Sequence, residues 1–213
     1  MNGVDLSDNN GWNAVERLPR SIDFVYAKIT EGLSFVDPDY KHIFAACAAS
    51  KRRVGGYHYA HPYNGGKAEA DFFLKHWEPG PLQLVPALDL EMGSGNLQRY
   101  CEEFALMVWD ARHCDTLLYG STSFIAEHVG GQIPHMQLWL ADWSSFASLP
   151  HDWKSWSVWQ YKVGRISGVG SVDLDVGKMP LIEYPYDAHG EKVDWQRVAR
   201  YWMRQAKKAR AAK

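Results

Sequence analysis

Nine residues near the middle of the chain, Leu84-Val85-Pro86-Ala87-Leu88-Asp89-Leu90-Glu91-Met92, limit the choice of fold more than any other stretch. A short apolar run bounded by turn signals suits a strand buried on both faces. Such a strand has no use for acids in its middle, and here Asp89 and Glu91 stand at its C-terminal end, with the loop Gly93-Ser94-Gly95-Asn96 directly after them. Two positions apart on an extended chain, both side chains point to one face, with Cα atoms roughly 6.6 Å apart from a rise of about 3.3 Å per residue. Like charges that close cannot both ionise freely, so at least one pKa should rise. That keeps a carboxylic acid protonated beside an ionised neighbour. Taken alone, Asp-x-Glu reads more readily as a solvated strand end. It gains weight if other strands end the same way.

Seven further stretches read as strands: Gly3–Ser7, Asp23–Thr30, Val54–Ala60, Thr116–Gly120, Met136–Trp143, Trp156–Val163 and Ser171–Val176. Helical spacing separates most of the early ones, over Trp12–Leu18, Ala68–Trp77, Leu97–His113 and Thr122–Val129. Another helix should open at Asp37-Pro38, with Asp at the cap and Pro in the first turn, and stop in the basic cluster Lys51-Arg52-Arg53. The connections around Ser144–Lys154 and Gly164–Gly170 are too short or too irregular for full helices. Eight strands with some helices missing predict an α/β chain: an irregular, single-domain β/α barrel with fewer than eight outer helices.

Reactive groups in β/α barrels sit at the C-terminal ends of the strands. Asp5, Asp89, Glu91 and Asp173 fall inside or at the ends of predicted strands, as do Tyr57, Tyr59, Tyr119, Trp139 and Trp159. Closing the barrel would gather acids from strands one, four and eight against an aromatic wall. That arrangement suits carbohydrate hydrolysis, which uses carboxyl groups flanking the scissile bond. Core packing explains each aromatic residue about as well as sugar contact, and Trp12, Trp77, Trp109, Trp153 and Trp156 read as structural.

Composition removes other classes. A formal charge of −2 offers no general attraction to nucleic acid. Cys47, Cys101 and Cys114 form no CxxC pair and no zinc spacing, and their apolar neighbours predict buried, reduced thiols. His58 should face away from Tyr57 as a hydrogen-bonded core residue, and the other histidines show no metal-ligand spacing. Neither a phosphate loop nor a Gly-x-Ser-x-Gly elbow is present. The expectation is a monomer with no metal and no cofactor. Without a charged n-region and apolar stretch at its start, the chain is expected to be made in the cytoplasm and to act outside it only after release, for instance through a holin.

Six motifs in order resemble the family 25 glycoside hydrolases, the Chalaropsis-type lysozymes common as phage endolysins and bacterial autolysins. They are Gly3-Val4-Asp5-Leu6-Ser7, Gly56-Tyr57-His58-Tyr59, Leu88-Asp89-Leu90-Glu91, Trp139-Leu140-Ala141, Trp159-Gln160-Tyr161 and Gly168-Val169 through Val172-Asp173-Leu174. The resemblance covers roughly residues 1–180. It implies cleavage of the β-1,4 bond between N-acetylmuramic acid and N-acetylglucosamine in bacterial peptidoglycan, with retention. The family's proton donor matches Glu91, its second strand-four acid matches Asp89, and its acids on the first and last strands match Asp5 and Asp173. Whether an enzyme nucleophile or the substrate's acetamido group attacks stays open at this point. Asp175 stands where the family more often has Asn and is given a minor role.

On these residues Glu91 would be held protonated by burial and nearby negative charge, while Asp89 stays ionised. Two rivals follow from the same pattern. Chitinase-like barrels carry Asp-x-x-Asp-x-Asp-x-Glu on strand four, but Leu84 and Ala87 replace the first two acids here. A glycan-binding barrel that has lost catalysis would not need all four acids. Residues 181–213 form a C-terminal extension. From Glu191 onward it has eight Lys or Arg against two acids and apolar residues at helical spacing. It reads either as a helix packed on the barrel or as a basic amphipathic helix that docks on anionic envelope polymers.

Overall fold

The computed structural model describes residues 1–78 and 83–178. Eight strands form a closed barrel: β1 (Asn2–Leu6), β2 (Phe24–Glu31), β3 (Arg53–Tyr59), β4 (Ala87–Asp89), β5 (Thr116–Ser121), β6 (Met136–Ala141), β7 (Val158–Ile166) and β8 (Gly170–Gly177). Closure comes through β1, which pairs in parallel with β2 and antiparallel with β8. A two-residue strand, Phe35–Val36, hangs on β2. The helices are α1 (Ala14–Arg17), α2 (Tyr40–Ser50), α3 (Gly66–His76), α4 (Leu97–Arg112) and the one-turn α5 (Thr122–Phe124), which continues into a π-turn at Ile125–Val129. The predicted irregular barrel of eight strands and few helices is thus the observed fold.

One strand runs against the usual direction. Strands β1 to β7 are mutually parallel, while β8 is antiparallel to both neighbours. The cause is the connection. Only Ser167-Gly168-Val169 link β7 to β8, and a parallel pairing needs a crossover of a dozen residues or more. The N-terminal half of β8 therefore lies at the mouth formed by the C-terminal ends of the other strands.

Alternation along each strand fills the inside in layers. Phe24 and Tyr26 of β2 point inward and lie over Gly3 and Gly55 on the flanking strands. A Cβ at Gly3 would sit 2.2 Å from the Phe24 ring, and one at Gly55 would sit 2.1 Å from the Tyr26 ring. Large rings beside absent side chains thus close the lower barrel. Above them Tyr26 packs on Trp139, with ring centroids 4.6 Å apart, and donates to the Val85 carbonyl. The outward parity (Val25, Ala27, Ile29, Leu88 and Leu118 among others) is fully buried beneath helices and loops.

Local expectations fare unevenly. Helix α2 begins at Tyr40 with Asp39 at its cap, two residues later than the Asp37-Pro38 signal placed it. Asp37 instead accepts the backbone N–H groups of Asp8 and Asp39, tying the turn after β1 to the helix start. No described helix is long and apolar enough to cross a membrane. All three cysteines are free and buried. The expected basic helix of residues 191–213 lies outside the described residues.

Candidate active site

At the mouth a cavity of about 350 Å³ opens between β1, β3, β4 and β8. Three strands bring the predicted acids to it. Asp5 comes from β1 and stands directly opposite Asp173 of β8 in register. Asp89 ends β4, and Glu91 follows two residues later, after Leu90 has donated its N–H to the Tyr119 carbonyl. All four carboxylates line the cavity, together with Tyr57, Tyr59, Tyr119 and Trp139.

Depth separates the acids. Asp89 is 9% exposed, whereas Glu91 stands exposed at the rim. Burial and the neighbouring charges of Glu91 and Asp5 push the Asp89 carboxyl well above its ordinary range. Burial, then the charges of Asp173 and Glu91, raise Asp5 to about 8, against a lowering hydrogen bond from Gln160. Glu91 is also raised, by desolvation of its carboxyl and by Asp173, while Lys28 pulls it down. Desolvation raises Asp173 as well. The expectation that Asp89 stays ionised beside a protonated Glu91 meets a site in which burial and neighbouring charge push both carboxyls up. One Asp89 oxygen, Oδ1, is buried without a hydrogen-bond partner.

Two residues that sequence reasoning left out complete the arrangement. Lys28 of β2 is the only cation among the described residues lining the cavity. Its ammonium is 2.9 Å from Glu31 and 4.8 Å from the centre of the Tyr59 ring. Gln160 of β7 donates its amide N–H to Asp5 at 3.2 Å. Its oxygen accepts from the Tyr119 hydroxyl at 3.1 Å and from the Trp143 indole at 3.2 Å. Those two donors fix which end of the amide faces Asp5. The signal for Lys28 was its inward parity with Phe24 and Tyr26. For Gln160 it was a polar side chain between two aromatic residues.

Trp159 is the one predicted sugar contact that the barrel turns away. Gln160 points inward, so its neighbour Trp159 faces outward, packs on Trp156 and Tyr161, and donates its indole N–H to the Asp142 carbonyl at 2.7 Å. Asp175 lies below Asp173, not beyond it, because β8 is reversed. There it is fully buried, accepts from the Trp139 indole at 2.9 Å, and has its pKa driven well up by burial and by Asp5. Leu84 and Ala87, which replace the first two chitinase-type acids, are buried completely. Among the described residues, no three His, Cys, Asp or Glu are placed to hold a metal ion.

Comparison with known proteins agrees with this geometry. The profile of the glycosyl hydrolases family 25 matches residues 4–169. An autolytic lysozyme of Clostridium acetobutylicum is 28% identical over 184 residues, which cover 82% of this chain and 55% of that protein. Lysozyme M1 of Streptomyces globisporus is 26% identical over 200 residues, covering 84% of this chain and 67% of that one. The chain thus spans about half the length of the Clostridium relative and two thirds of the Streptomyces one. In fold it is similar to a bacterial lysozyme from Streptomyces coelicolor, with a TM-score of 0.74 at 24% identity over 84% of this chain and 92% of that one. By profile match and barrel architecture together, the chain belongs to family 25 of the glycosyl hydrolases.

Proposed function

We propose that the chain is a peptidoglycan hydrolase that cleaves the β-1,4 bond between N-acetylmuramic acid and N-acetylglucosamine. The observation that carries this reading is the convergence of Asp5, Asp89, Glu91 and Asp173 on one aromatic-walled cavity. A sugar developing positive charge at its anomeric carbon fits among these carboxyl groups, because a nearby cation favours their ionised forms, and the relatives named lysozymes supply the polymer.

Glu91 at the rim is the proton donor. A saccharide seated across the mouth excludes water from its exposed carboxyl, and desolvation raises the pKa of an acid. Binding thus adds to the desolvation that already raises Glu91 and holds it protonated. As the sugar binds, the proton shared by the pair passes from Asp89 to Glu91, and Asp89 becomes the acceptor for the substrate's 2-acetamido N–H, through the partnerless Oδ1. The acetamido oxygen then attacks the anomeric carbon as the glycosidic C–O bond breaks and the Glu91 proton passes to the leaving oxygen. Water, deprotonated by the Glu91 carboxylate, opens the cyclic intermediate from the same face, so configuration is retained. Asp5, held by Gln160, and Asp173 supply the field that keeps the two strand-four acids in different states.

Digestion of purified cell walls tests the reading. After borohydride reduction, mass spectrometry should find reduced muramic acid at the new ends, and proton NMR of early product should find the β-anomer. Reduced glucosamine, or free peptide stems, would overturn it.

A further inference from the structure

Beside the acid cavity lies a second, larger groove of about 780 Å³, bordered by the loop 142–157 and the start of α5. Glu91 and Tyr119 line both spaces, so the groove continues the cavity directly across the proposed proton donor. The two halves differ in kind. One is crowded with carboxylates, while the other presents Trp143, Phe124, Leu149 and the hydroxyls of Ser121, Ser123 and Ser144. We propose that this groove holds the leaving-group side of the glycan, with Trp143 as the platform on which the first sugar beyond the scissile bond stacks.

The direction follows from charge, and it rests on the reading of Glu91 given above. The sugar that becomes cationic belongs among Asp5, Asp89 and Asp173. The oxygen that receives the proton must face Glu91, so the departing sugar lies on the far side of Glu91 from those anions. A departing sugar is neutral and has an apolar face of C–H groups. Trp143 meets that need, with 64% of its surface exposed. A large ring left in water is held in place by its indole N–H, which donates to Gln160. The loop beneath it is braced too: Asp142 accepts the backbone N–H groups of Ser144 and Ser148 at 3.1 and 2.8 Å. The platform is thus built before the sugar arrives, which limits the ordering cost on binding. Hydroxyl-bearing residues around the ring suit the polar edge of a hexosamine.

Kinetics with two substrates test the proposal in the full chain. One is a soluble, peptide-free glycan with sugars on both sides of the scissile bond. The other is a glycosyl fluoride carrying the same cleaved-side sugars, whose leaving group is a single atom and leaves the groove empty. Trp143→Ala should lower kcat/KM on the glycan by roughly tenfold, the loss expected when about 60 Å² of apolar contact disappears. On the fluoride it should change kcat/KM by less than about twofold, a difference under 0.5 kcal/mol. Trp143→Phe, which keeps a ring but loses the bond to Gln160, should recover most of the activity on the glycan. Equal losses on both substrates would overturn the proposal, since Trp143 would then act only through Gln160 and Asp5. Unchanged kinetics on the glycan would overturn it too and leave the muramidase reading standing. If the wild-type protein releases no reducing-end muramic acid from the glycan, both fall together.

Discussion

Strand β3 separates two groups of buried carboxylates that behave in opposite ways. Inward, Tyr57 and Tyr59 face the cavity, where Asp5 and Asp89 crowd together with few donors and their pKa values rise. Outward, His58 faces α3 and α4, where Glu69 is fully buried yet its pKa falls. Glu69 accepts from His58 at 2.9 Å, from Asn64 at 2.7 Å, from the Tyr100 hydroxyl and from the backbone N–H of His61. His58 completes the chain through Thr30 at 2.8 Å, and burial holds its ring below the usual range, hence neutral. Glu69 is less exposed to solvent than Asp89 or Asp5, yet its pKa is the one that falls. What differs is the supply of donors. A saturated carboxylate is a structural anchor, and an unsaturated one among like charges is a reserve of unmade interactions that a substrate can complete.

The largest effect expected from this contrast is catalytic. Glu91→Gln should cut the rate of cell-wall lysis by 10²- to 10⁴-fold, roughly the range for a general acid. Denaturant unfolding of the same variant should stay within about 0.5 kcal/mol of wild type, as for an exposed residue. A variant retaining more than about a tenth of the wild-type rate would remove Glu91 from the acid's role.

The outer network should answer in the reverse sense. Glu69→Ala leaves four donors facing a void, and at about 1–3 kcal/mol per buried group left unpaired, a loss of 3 kcal/mol or more is expected. Lysis per folded molecule at low temperature should hardly change. If Glu69→Ala proves as stable as wild type, or Glu91→Gln as unstable as Glu69→Ala, the distinction between anchor and reserve fails.

Next in size is a difference in pH slope. Asp5 has its pKa raised from 3.8 to about 8, so the folded state binds more protons than the unfolded state between those values. Its contribution to stability is full below about pH 4 and is lost as pH rises through about 8. Glu69 has its pKa lowered, so its contribution is full above the ordinary glutamate range and is lost as pH falls through the folded value. Asp5→Asn should therefore raise the Tm at pH 8 more than at pH 5, with a benefit on the order of a few kcal/mol. An equal change at both pH values would mean that Asp5 is not held protonated in the fold.

Much of this architecture can be read directly from the residues. The eight strands are visible because each is a short apolar run between turn residues. The four acids are visible because charge has no other reason to end such runs. The direction of β8 is not visible in its own residues, since Ser171–Val176 has the same alternation read either way. The information sits in the three-residue link before it, which is too short for a crossover. Trp159 was misplaced because aromatic character was read as inward parity, while Gln160 between the rings held that position. Glu69 was invisible for another reason: in Gly65-Gly66-Lys67-Ala68-Glu69 it looks like one charge on an exposed helix face. Only tertiary packing brings Tyr100 and His58 to it.

The smallest effect expected concerns Lys28, the cation that both acid regions nearly share. Its ammonium pulls down the pKa values of Asp89 and Glu91, and its partner Glu31 is held in turn by His61 at 3.2 Å. Under the proposed mechanism the active form has Asp89 ionised and Glu91 protonated. The two limbs of the pH–rate profile then report the two apparent pKa values of the Asp89–Glu91 pair. Lys28→Met removes the attraction that favours both anions, so both values rise and the whole bell moves to higher pH. A charge this close to the rim is screened by water, so the shift should be under about one unit, or about 1.4 kcal/mol at most. The Tm should follow the pH dependence of the wild type, because Glu31 keeps His61. A bell that stays in place while kcat falls would show that Lys28 acts by touching the sugar and not by tuning the acids. A bell that moves to lower pH would show that Lys28 does not favour the ionised forms of the two acids.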